Sequence, residues 1–195
     1  MWLSPKIFEW DRRVGVTGSE DESWRRAHTI WSHAEHLLEQ SNTELFRVDA
    51  ITTLKRSIDH RLRMLDKIYY FRQIPIRSKP SDMLELLDYL GIIRSKMLQK
   101  LTEIRNAVEH EDANPPSDEA CFGFLEFTWY FLRSTDLLVR QPTQSVVLFP
   151  SEDELYYDAT IELDPKEGWI PKLTAWVVSS MVSDSPIVKT LSVLF

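Results

Sequence analysis

With 195 residues, 43% of them hydrophobic and 27% charged, the chain has the proportions of one folded domain with a small appendage, not of a disordered tail or a multidomain machine. The net charge of −7 excludes a protein that coats nucleic acid with one broad positive surface, and the single cysteine, Cys121, excludes an internal disulfide and a thiolate zinc cluster. The start Met1-Trp2-Leu3-Ser4-Pro5-Lys6 lacks the basic-then-apolar pattern of a secretory leader, and no window approaches about 18 uninterrupted apolar residues, so a cytoplasmic protein without membrane contact is expected.

Residues 1–19 show no clear period and are set apart as an N-terminal segment. Ser19-Glu20-Asp21-Glu22 places a hydroxyl three residues before a carboxylate, ahead of Trp24, Ala27, Trp31, Ala34 and Leu38 at helical spacing, which predicts a capped helix over about 20–40. After a break at Ser41-Asn42-Thr43, the apolar positions Val48, Ile51, Leu54, Ile58, Leu62, Leu65 and Tyr69 predict a second helix that runs to about Gln73 and is stopped by Pro75. Pro80-Ser81-Asp82 opens a short helix around Met83 to Leu90, ended by Gly91. A fourth helix begins near Ser95, turns Met97, Leu101, Ile104 and Val108 inward, and closes near His110 before Asn114-Pro115-Pro116. Ser117-Asp118-Glu119 caps a fifth, whose Phe122, Phe124, Leu125, Phe127, Trp129, Tyr130, Phe131 and Leu132 surround nearly its whole circumference and predict a helix packed on several sides.

Beyond Gln141-Pro142 the period becomes alternating, as in Leu155 to Leu163. Turn clusters at 150–153, 164–168 and 183–186 divide the remainder into about four short strands. The expected organisation is therefore a helical bundle over 20–141 and an antiparallel meander over 142–195 packed on it.

Charge is unevenly distributed. Between Arg47 and Lys79 nine basic residues face only Asp49, Asp59 and Asp66, whereas the stretch from Glu109 to Glu167 is acidic. On the second helix Arg56, His60, Arg63 and Lys67 form one stripe opposite the apolar face, suited to guiding a phosphate backbone. On the fourth, Asn106 and His110 fall close together away from the apolar side, with Arg105 on the flank; Glu109, Glu111 and Asp112 add negative charge around them. No GxxxxGK[ST], GxGxxG, HExxH or GxSxG motif occurs, and His28, His33 and His36 lack a metal-ligand spacing and read as solvent-facing or interface polar residues. Trp24, Trp31 and Trp129 fall on predicted buried faces.

Arg105-Asn106-Ala107-Val108-Glu109-His110 resembles the Arg-Asn-x-x-x-His signature of HEPN domains, compact bundles of four or five helices. The short helix, loop and leucine-rich lead-in over 82–104, and the aromatic helix after Ser117, resemble the surroundings of that signature, and the likeness covers about residues 20–140. The resemblance implies a mainly α fold, a HEPN-like bundle with a small C-terminal antiparallel β element (α+β overall). It also implies a metal-independent endoribonuclease of toxin or antiviral-defence type that needs no cofactor. Its homodimer shares a catalytic cleft built from Arg105, Asn106 and His110; RNA is the substrate, and an antitoxin or other protein is the partner. The alternative it leaves open is a non-catalytic helical module that binds a protein.

Overall fold

The computed structural model describes residues 2–16, 22–40, 43–110, 114, 116–150, 158–164, 166, 171–177 and 179–183; the side chains of Glu109 and His110 lie outside the described set. The described residues form five α-helices and two small antiparallel sheets, distributed over two compact units.

The helical unit spans Ser19–Arg140. It contains α1 (Arg25–Gln40), α2 (Glu44–Tyr69), α3 (Met83–Tyr89), α4 (Lys96–His110) and α5 (Asp118–Arg140), with a 3-10 turn at Glu22–Trp24 leading into α1. The predicted capping box begins at Ser19 to Asp21, outside the described residues. α1 buries Ala27, Ala34 and Leu38, at steps of seven and four residues along one face, against α2 and α5. Its small residues allow close approach: the Ser57 hydroxyl on α2 donates to the Ala27 carbonyl at 2.7 Å. Ile51, Leu54, Ile58 and Leu65 of α2 are at most 1% exposed, and each such side chain contributes about 1.5–3 kcal/mol by leaving water.

α2 ends earlier than predicted, and not at a proline. Tyr70 takes the left-handed conformation (φ 49°, ψ 42°), and its N–H still donates to the Asp66 carbonyl. The reversal stacks Phe71 on Tyr69 at 5.1 Å and buries both rings; that apolar gain offsets the strain of a left-handed tyrosine. α3 is bounded as expected. The Asp82 carboxylate accepts from the N–H groups of Leu84 and Glu85, and Gly91 (φ +72°) lets Ile92 N–H reach back to the Leu87 carbonyl. Asp88 then fixes the start of α4 by accepting from both the N–H and the hydroxyl of Ser95.

Two predicted faces are corrected. On α4 Leu101 is buried as expected and Ile104 and Val108 are half-buried, but Leu98 takes the inward place given to Met97, which is 38% exposed. On α5 the buried set is Cys121, Phe124, Leu125, Thr128, Phe131, Leu132, Thr135, Asp136 and Val139. Phe122, Phe127 and Tyr130 are exposed instead, because α1, α2 and α4 cover only part of its circumference.

The second unit joins the two ends of the chain, Met1–Gly18 with Gln141–Phe195. Strands β1 (Trp2–Leu3), β2 (Asp11–Val16), β3 (Thr143–Phe149), β4 (Asp158–Leu163), β5 (Pro171–Trp176) and β6 (Val182–Ser183) make a four-stranded antiparallel sheet in the order β2-β3-β4-β5, and a β1-β6 pair. The N-terminal segment, set apart on sequence grounds, thus supplies an edge strand. Leu148 stands opposite Ala159, and Ala159 opposite Ala175, so every second residue faces a core closed by Ile7. The predicted turns at 150–153 and 183–186, and most of 164–168, lie largely outside the described residues.

Candidate functional site

The signature occupies the last two turns of α4. Arg105 is half-buried beside the Leu98 and Leu101 face, nearer the core than a flank position, and Asn106 is exposed. The Arg105 Nη1 donates to Asn106 Oδ1 at 3.2 Å, which leaves the amide NH2 of Asn106 pointing away from the guanidinium. Position 110 is the final residue of the helix, on the Asn106 face by its i, i+4 spacing. The His110 side chain, Glu111 and Asp112 lie outside the described residues, so the described members of the site are Arg105 and Asn106.

The predicted stripe on α2 is present as a surface of unequal members. Arg56, Arg63 and Lys67 are exposed, and among the described residues none of the three has a carboxylate at ion-pair distance. Both acids within the stripe's turns pair outside it: Asp59 with Lys55 at 2.5 Å and Asp66 with Arg72 at 3.5 Å. His60 differs: it is half-buried, its Nδ1 is buried without a partner among the described residues, and its pKa is lowered by burial and by the charges of Arg26, Arg63 and Arg61. Arg26 belongs to α1, so the basic surface continues from α2 onto that helix. The described bonds of the stripe do not reach α4, and stripe and signature stand on separate helices.

A buried polar centre that sequence reasoning missed lies between α1, α2 and α5. Arg61 is 0% exposed. Its Nη2 donates to Asp136 Oδ1 at 2.8 Å, and its Nη1 to the Leu132 carbonyl and the Thr135 hydroxyl, each at 3.1 Å. The His28 Nε2 meets the same carboxylate at 2.9 and 3.2 Å. Burial by itself raises the pKa of Asp136, but the hydrogen bonds from His28 and Arg61 and the Arg61 charge outweigh it and hold the carboxyl below the ordinary range. A carboxylate only accepts, so Nε2 carries the His28 proton. Of the three histidines on α1, His28 is an interface polar residue, and His33 and His36 face solvent. Nothing in the sequence distinguished Arg61 from its neighbours beyond its place on the apolar side of α2, next to Ile58 and Leu65.

An apolar cleft of about 690 Å³ opens between the α3–α4 connection and α5. Ile92, Met97, Leu98, Phe127, Tyr130 and Phe131 line it, and Arg94 and Lys96 stand at its rim. Cys121 is buried, and burial pushes its thiol up to about 11, which keeps it protonated and inert at neutral pH. Among the described residues no group of three or more His, Cys, Asp or Glu side chains gathers, and no described helix is long and apolar enough to cross a membrane.

No protein-family model, no curated protein and no solved structure matches the chain.

Proposed function

We propose that the chain is a HEPN-type, metal-independent endoribonuclease in which Arg105, Asn106 and His110 form one half of a cleft shared by two copies. The observation that carries the reading is the Arg105–Asn106 hydrogen bond at the end of α4, one turn before position 110. It gives Asn106 the work of orienting the arginine rather than touching the reacting atoms. The order of elements adds support: a short helix closed by Gly91, a signature-bearing helix, then a long aromatic helix. In the proposed reaction the imidazole of His110 removes the proton of a ribose 2′-OH as that oxygen attacks the adjacent phosphorus. The guanidinium of Arg105 stabilises the extra charge on the phosphorane. The 5′ oxygen of the next nucleotide leaves with a proton taken from water, and the products end in a 2′,3′-cyclic phosphate and a 5′-hydroxyl. The exposed cations Arg56, Arg63 and Lys67 are the proposed backbone guide. The toxin or defence context, and an antitoxin or other protein partner, follow from the family resemblance.

The second reading is a non-catalytic interaction module, and the cleft between the α3–α4 connection and α5 favours it. Exposed Phe127 and Tyr130 beside Met97 make the kind of apolar surface that soluble monomers seldom leave uncovered.

Cleavage of a mixed RNA pool in EDTA separates the two. Wild type is expected to leave cyclic phosphate ends, and His110→Ala to lose about 100-fold or more in rate with an unchanged melting temperature. A folded wild type without cleavage moves the weight to the interaction module.

A further inference from the structure

Where α1 begins and α5 ends, arginines and tryptophans alternate. Trp24, half-buried, has the guanidinium of Arg25 over its ring at 5.2 Å and that of Arg140 at 4.8 Å. Its edge meets the His28 ring at 6.3 Å and 86°. On α5, Trp129, Arg133 and Arg140 recur at steps of four and seven residues along one face, and Arg133 lies over the Trp129 ring at 5.2 Å. Arg133 and Arg140 are thereby placed roughly 10 Å apart along the helix axis.

Among the described residues the charges do not cancel. Among the described residues, four guanidiniums (Arg25, Arg61, Arg133 and Arg140) and the His28 imidazole share two carboxylates, Asp136 and Glu22. Asp136 is committed inward to Arg61 at 2.8 Å, which leaves Arg133 only a distant 3.6 Å contact with it. Glu22 is taken by Arg25 at 2.7 Å. Arg140, exposed at the last turn, has no carboxylate at ion-pair distance among the described residues. On a chain of net charge −7, this is a local excess of positive charge whose side chains are fixed by aromatic rings. Fixed guanidiniums lose little freedom on meeting a phosphate, and the half-exposed tryptophans beneath them add apolar surface for an unstacked base to lie against.

We infer that the face formed by Trp24, Arg25, His28, Trp129, Arg133 and Arg140 binds single-stranded RNA, with Arg133 and Arg140 on two phosphates of one backbone and the tryptophan rings beside the bases. The inference uses no residue of the Arg105 to His110 signature and stands independently of the ribonuclease reading. The buried Arg61–Asp136 pair is its support from beneath, since Asp136 anchors His28 and thereby the Trp24 edge.

The test is fluorescence anisotropy of a labelled 2′-O-methyl RNA about 12 nucleotides long, which lacks the nucleophile for cleavage, titrated with full-length protein at several salt concentrations. Arg133→Ala/Arg140→Ala is expected to weaken binding about tenfold or more, and to reduce the slope of log affinity against log salt by about 1.4. Arg140→Lys keeps the charge but loses the flat stack on Trp24. It is expected to fall between the two, with the wild-type salt slope. All variants change exposed side chains, and thermal melts verify that they fold. The inference is overturned if the double variant binds like wild type. It is overturned equally if Arg72→Ala/Lys100→Ala, which removes two charges elsewhere, weakens binding as much. A duplex of the same sequence bound as tightly as the single strand removes the role of the tryptophans and overturns it too. RNA bound at this face but never cleaved would end the ribonuclease reading and leave this one standing.

Discussion

A fully buried arginine is the most informative single residue in the chain. Arg61 donates to a carboxylate, a hydroxyl and a carbonyl of α5, while its Nε is buried without a partner among the described residues. Removing one member of such a pair leaves the other charged and dry. Arg61→Ala is therefore expected to lower stability by roughly 3–5 kcal/mol in chemical denaturation, whereas Arg61→Met with Asp136→Leu, which removes both charges, stays near wild type. A single-variant loss below about 1 kcal/mol would show that water already reaches the pair. His60, one residue away, supplies a pH effect. Its pKa is depressed in the folded chain by burial and by Arg26, Arg63 and Arg61, so folding favours the neutral ring. Above about pH 6.5 the ring is neutral whether the chain is folded or not, and nothing is lost. As pH falls below that, the unfolded state takes the proton first and stability declines until the folded pKa is passed. Melting temperatures between about pH 6.5 and 5 should fall more steeply in wild type than in His60→Gln; equal slopes would show that the ring is solvated in the folded chain.

At the scale of elements, what was legible depended on whether the signal is local. Both ends of α3 could be read because Asp82 and Gly91 act through their own backbone neighbours. Gly91→Ala tests that directly. The position needs φ +72° and the space for a methyl is open, so the cost is conformational alone, about 1–2 kcal/mol, visible as a lower denaturation midpoint with an unchanged slope. A neutral Gly91→Ala would mean that the α3–α4 connection relaxes to another turn. The end of α2 was not legible, because Tyr70 reverses the chain only to bury Phe71 against Tyr69, a contact that the later packing defines. β2 escaped notice for a related reason. As an edge strand with mostly exposed side chains, Asp11–Val16 lacks the alternation that marked β4, and its partner β3 lies over a hundred residues away. The signature helix was found with Leu101 inward, but Met97 was misplaced, since Met97 and Leu98 are equally apolar and only packing chooses Leu98. For the site, spacing brought Asn106 to the notice of chemistry, yet its bond to Arg105 joins neighbours in sequence that a helical wheel sets well apart, and it forms because the arginine side chain is long enough to fold across.

Across the whole molecule, the uneven charge of the sequence becomes geometry in the helical unit, where exposed Arg56, Arg63 and Lys67 on α2 and Arg133 and Arg140 on α5 leave positive surface on an acidic protein. The same unit has a different, largely apolar face. Phe127, Tyr130 and Leu137 of α5 recur at steps of three and seven residues, all exposed, with Gly123 and Ser134 on the same stripe and the 690 Å³ cleft beside it. Spacing of that kind suits the ridge of another helix, and a Cβ added at Gly123 meets nothing within 4 Å. A shared catalytic cleft requires a second copy of the chain, and this stripe is the described surface best suited to receive it. Sedimentation equilibrium is then expected to report about twice the 22.9 kDa chain mass for wild type at micromolar concentration, and a single chain for Tyr130→Glu/Leu137→Glu. Because both side chains are more than 60% exposed, the substitutions should leave the melting temperature of the monomer close to wild type. RNA cleavage should disappear with the dimer although every signature residue is intact. Cleavage that persists in a monomeric double variant would place a complete site in one chain and remove the need for the pair.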